Sequence, residues 1–188
     1  MSINIVEEVQ AKMGYQPIIK IDPNTQDTKE SETGENLLQQ SATASVLCGI
    51  YEKYNQPEIN INWGTISTSL LDEIFGDSKN EVITSVANYS KVGTNKATEE
   101  MEKVAATINE IIKEQVAEPT QENIKAFIHN QRHNILVHLP PDLKMGELLK
   151  DNTIDDRTNK MEGPMSNLMH TIGNVFSSSD EEKVENKY

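Results

Sequence analysis

ISTSLLDEIFGDSKNEVITSVANYSKVGTNKATEEMEKVAATINEII, residues 66–112, writes three helix patterns in succession, punctuated by Gly76-Asp77 and Gly93-Thr94. Ile66, Leu70, Leu71, Ile74 and Phe75 share one face of a helix that stops at Gly76, a residue that tolerates a left-handed C-terminal conformation. Ser78 and Glu81 stand at capping-box spacing, where hydroxyl and carboxylate satisfy backbone donors reciprocally, and Val82, Ile83, Val86 and Tyr89 follow as an apolar stripe. After Gly93, the residues Met101, Val104, Ala105, Ile108, Ile111, Ile112 and Val116 recur at three- and four-residue steps. That period is the signature of a long helix with one buried face.

Outward from this stretch the same logic holds. Towards the N-terminus, Ile5, Val6, Val9 and Met13 mark a short helix that Gly14 can end, and residues 15–21 read as extended, with Pro17 and Pro23 opposing a helix. Residues 22–35 are polar and acidic and carry too little apolar surface to order themselves, which predicts a flexible linker. From Leu37 to Tyr54, small residues (Ser41, Ala42, Thr43, Ala44, Ser45) and apolar ones (Val46, Leu47, Ile50, Tyr51) cover more than one face, which predicts a central, buried helix. Residues 56–64 alternate in Ile59, Ile61 and Trp63 as a short strand does, but with no partner strand in evidence a loop pinned by the tryptophan is expected instead.

On the C-terminal side, Pro119-Thr120 opens a helix with Thr120 as its cap, and Ile124, Phe127, Ile128, Ile135 and Leu139 form its stripe until Pro140-Pro141 stop it. A short helix over residues 142–149 is expected next. A last helix follows Gly163-Pro164, with Met165, Leu168, Met169, Ile172, Val175 and Phe176 in phase, and residues 177–188 form a mobile acidic tail. The expected architecture is all-α: a single-domain bundle of about seven or eight helices. It comprises an N-terminal helix and extended segment (1–21), the linker (22–35), the helical domain (36–176) and the tail (177–188).

Composition narrows the function classes. The chain has 188 residues, a formal net charge of −13, 36% apolar and 5% aromatic residues. Such a charge disfavours nucleic acid and anionic membrane surfaces, and no basic cluster offsets it locally. Cys48 is the only cysteine, so no intramolecular disulfide forms, and Val46, Leu47 and Ile50 around it predict a buried thiol. The first residues lack a secretory pattern and nowhere do 18 apolar residues run together, so a soluble, cytoplasmic protein is expected.

The segments LLQQSATASVLCGIYEKYN (residues 37–55), LLDEIFGDSKNEVITSVANYSKVG (70–93) and ATEEMEKVAATINEIIKE (97–114) resemble the YidB-like bacterial domains of unknown function. That group carries a small-residue helix, a leucine-rich helix broken at glycine, a short helix and a long one in this order. The resemblance implies an all-helical fold and transfers no catalytic residue.

Two constellations suit metal chemistry. His129 and His133 are four residues apart on one predicted helix, the spacing that lets two imidazoles reach one ion, although a solvated polar face with Arg132 alongside is the simpler reading. Asn130 stands where a zinc hydrolase needs its glutamate, and His138 falls on the apolar side of the wheel, so any further ligand must come from elsewhere, His170 included. The second is DNTIDDRTNKME, residues 151–162, where Asp151, Thr153, Asp155 and Glu162 occupy positions 1, 3, 5 and 12 of a calcium loop. Asp156 replaces its turn glycine, and an acidic loop capping the last helix is the simpler reading. There is no Gly-rich phosphate loop and no nucleophile elbow. The function expected is therefore that of a non-enzymatic helical module that needs no cofactor. It binds a protein or small ligand, or a second copy of itself through the Met-rich stripe of Met161, Met165 and Met169; the alternative is a metal-binding protein using either constellation.

Overall fold

The computed structural model describes residues 3–21, 34–56, 69–151 and Ile154. Its helices are α1 (Ile5–Met13), α2 (Gly34–Asn55), α3 (Leu70–Phe75), α4 (Lys79–Ser90), α5 (Thr94–Gln115), α6 (Gln121–Asn130), α7 (Arg132–Leu136) and α8 (Met145–Leu149), with 3₁₀ turns at Gly76–Ser78 and Pro141–Leu143. Among the described residues there is no strand: the protein is all-α. Ile66, the Trp63 loop, residues 22–33, the Met-rich last helix, His170 and the acidic tail lie outside the described residues.

Local chemistry explains where α1 and α6 begin and where α1 ends. Asn4 caps α1 by accepting from the Val6 amide at 3.1 Å, and Glu7 accepts from the Asn4 side chain at 2.9 Å. Gly14 ends the helix with φ 68°, where a side chain is disfavoured. Thr120 caps α6 through the Asn123 amide at 3.2 Å, as its position after Pro119 predicts.

α2 is the axis of the molecule. Every other described helix touches it. Leu38, Ala42, Val46, Leu47, Cys48 and Ile50 are all buried, and so are Ser41, Thr43 and Ser45 between them. Each large apolar side chain so enclosed stabilises the fold by about 1.5–3 kcal/mol relative to exposure. Small residues along α2 let its neighbours approach: at Gly49 an added Cβ would lie 2.3 Å from Phe75 Cε1. The predicted stripe of α5 (Met101, Val104, Ala105, Ile108, Ile111, Ile112) is buried throughout, and α5 packs on α1, α2, α3 and α4. α1 is further tied to α5 by the Lys12–Glu114 ion pair at 2.8 Å and by the Tyr15 hydroxyl donating to Glu100.

Four expectations are corrected. α2 begins at Gly34, so Gly34 and Glu35 belong to a helix and not to a linker. Ser78 does not close a capping box with Glu81: its backbone is already helical, and its hydroxyl donates to the Leu148 carbonyl at 3.0 Å. The helix expected to run from Thr120 to Pro140 is broken at Gln131 into α6 and α7, because the Gln131 side chain is engaged elsewhere. Its Oε1 accepts from the Ile5 amide at 3.0 Å and from Asn134 Nδ2 at 2.9 Å, while its Nε2 donates to the Ile3 carbonyl at 3.0 Å. Finally, residues 142–149 divide into the 3₁₀ turn and α8, with Lys144 between them in the left-handed region at φ 50°.

Candidate functional site

A cleft opens where the C-terminal end of α2 meets the turn after α3 and the end of α8. It measures about 370 Å³ and is lined by Glu52, Lys53 and Gln56 from α2 and its end, Phe75 to Ser78 after α3, and Leu149 and Lys150 from α8. Gly49 and Ile74 complete its floor. A smaller pocket of about 50 Å³ between residues 16–19 and α2 has room for a water or two only.

Glu52 is the chemically distinctive group of the cleft. Its Oε2 is buried with no hydrogen-bond donor, and the Asp151 carboxyl lies within hydrogen-bonding reach of its side chain. Burial, followed by the Asp151 carboxyl, pushes the Glu52 carboxyl up from an ordinary 4.5 to about 7, against the opposing pull of Asn55 and Gln56. Two carboxyls in contact hold together only when they share a proton, because two bare carboxylates repel in a desolvated setting. The pair therefore offers both an acceptor and a proton near neutral pH.

Asp151 is fixed from the backbone side. Its amide donates to the Gly146 carbonyl at 2.9 Å, and the Ile154 amide donates to the Asp151 carbonyl at 3.2 Å, with Ile154 itself buried. Sequence reading singled out Asp151 as the first calcium-loop position; the structure turns it towards Glu52. Thr153, Asp155 and Glu162 lie outside the described residues. Glu52 carried no signal of its own, being one acidic residue near the end of a helix.

His129 and His133 fall on either side of the Gln131 break and are both exposed, so the single regular helix that motivated the pair is absent. The His129 ring rests against Tyr51, centroids 5.4 Å apart and tilted by 41°. Among the described residues no three His, Cys, Asp or Glu side chains are grouped to hold a metal ion. His138 is buried on the apolar side as the wheel predicts, and the 2.7 Å contact of its Nδ1 with the Asn134 carbonyl requires the proton on Nδ1, since a carbonyl only accepts. Burial lowers its proton affinity.

Comparison with protein-family models, with curated proteins and with solved structures gives no match. No helix among the described residues is long and apolar enough to cross a membrane.

Proposed function

We propose that the chain is a non-enzymatic helical module that binds a small polar ligand in the cleft beside Glu52. The observation that carries this reading is the Glu52–Asp151 pair: a half-buried carboxyl couple, titrating near neutrality, at the wall of a cleft whose volume lies in the usual range for small-molecule sites of roughly 300–1,000 Å³. With one proton shared by the couple, the lining sets the acidic side chains of Glu52 and Asp77 against the basic ones of Lys53 and Lys150. A ligand carrying both donors and acceptors, such as an amide, suits that balance better than a strong ion. Ile74, Phe75 and Leu149 provide the apolar part.

Amide NMR spectra of the full chain titrated with butyramide test the proposal, with n-butylammonium and butyrate as charged comparisons. The expected result is saturable shifts at Gly49, Gly76, Ser78 and Lys150 with butyramide, weakened in Glu52→Ala. Shifts scattered over the surface, or none, contradict it. Zinc and calcium titrations under the same conditions examine the metal alternative: saturation at His129 and His133, or at Asp151, would favour that alternative.

A further inference from the structure

We propose that α8 and the Lys150-Asp151 turn form a proton-operated wall of the cleft, held against α2 by the hydrogen shared between Glu52 and Asp151 and released when that hydrogen is lost to solvent. The contact joins elements far apart in the chain, and it is the carboxyl contact between them. Losing the proton takes the pair from one negative charge to two, with Glu52 Oε2 still buried and without a donor. Coulomb repulsion at such short range then pushes the two elements apart.

α8 is short and has left-handed residues at both ends. It has five residues, and the non-glycine residues at both its ends, Lys144 and Lys150, are held at φ 50° and 59°. Left-handed backbone of this kind is costly for a lysine, so both ends gain when the segment rearranges. Its anchors among the described residues include the Ser78 hydroxyl on the Leu148 carbonyl, the buried Met145 and Gly146, the half-buried Leu148 and Leu149, and, past Asp151, the buried Ile154. Because the Asp151 amide is bonded to Gly146, the carboxyl and the helix move together.

The surrounding charges leave the couple in control. Lys53, Lys150 and Asp77 line the cleft, and the Asn55 and Gln56 side chains, hydrogen-bonded to Glu52, favour its ionisation. On α4, which also packs on α8, Lys79 is engaged with Asp72 of α3, and Glu81 is exposed. The consequence for ligand entry rests on the binding reading above; the movement of α8 does not.

Hydrogen exchange of the full chain, ligand-free, at pH 6 and pH 8.5 and corrected for intrinsic exchange, decides the matter. Residues 144–151 are expected to lose protection about tenfold, the factor that one unit of pKa carries, while α5 keeps its protection. Glu52→Gln and Asp151→Asn should each remove the pH dependence, and either variant serves if the other fails to fold. Unchanged protection at pH 8.5, a loss shared by all helices, or the same loss in a folded Glu52→Gln protein overturns the proposal. If α8 responds but butyramide does not bind, the binding reading alone fails.

Discussion

At Gly49 the chain has no room for a side chain. The hypothetical Cβ meets Phe75 Cε1 at 2.3 Å and Ile74 Cγ2 at 2.8 Å, and both neighbours are buried. Gly49→Ala gains up to about 1 kcal/mol of helix propensity but overpacks the α2–α3 contact by about 1–3 kcal/mol, so a lower urea midpoint is expected. Four residues earlier the opposite holds. Ser45 Oγ is fully buried without a partner, and Ser45→Ala should raise stability by about 1 kcal/mol in the same assay by removing a desolvated hydroxyl. Glu52 sets a pH dependence whose sign is determined. Its folded carboxyl binds its proton more tightly than the unfolded one, so its contribution to stability is full below about pH 4.5 and is lost as pH rises to about 7. Glu52→Gln should flatten that decline in pH-dependent denaturation. His138 acts in the reverse direction, its lowered proton affinity weakening the fold as pH falls below 6.5.

Among elements, α1 and the α6–α7 break depend on one side chain. Gln131→Ala strips the Ile5 amide and the Ile3 carbonyl of their partners, with Ile5 fully buried, and a loss of about 1–3 kcal/mol is expected. Hydrogen exchange should show the first turn of α1 fraying while α5 stays protected. The same residue shows what the sequence could and could not disclose. The stripes of α1, α4 and α5 were legible because their cause, one apolar residue per turn, is local. The break at Gln131 was not, because its cause is a set of partners at the other end of the chain. Ser78 repeats the lesson: capping-box spacing was present, but the hydroxyl found the Leu148 carbonyl across the fold. The candidate site was half legible for the same reason. Asp151 stood out by spacing, whereas its partner Glu52 gains its meaning only when α8 is brought to α2.

Across the whole molecule, α2 organises everything else. A single continuous set of buried apolar residues runs from Ile5 to Ile154, and all other described helices contribute to it by packing on that one axis. The all-round burial of α2 places its C-terminal end, with Glu52, where the last described residues close over it. The altered chemistry of Glu52 is thus a property of the assembled bundle, since neither α2 nor α8 alone would desolvate that carboxyl or set a second one against it. Following the side-chain carboxyl ¹³C shift of Glu52 in the full chain as pH is varied is therefore the most direct test. A midpoint near pH 7 is predicted; a midpoint near the ordinary 4.5 would contradict the account.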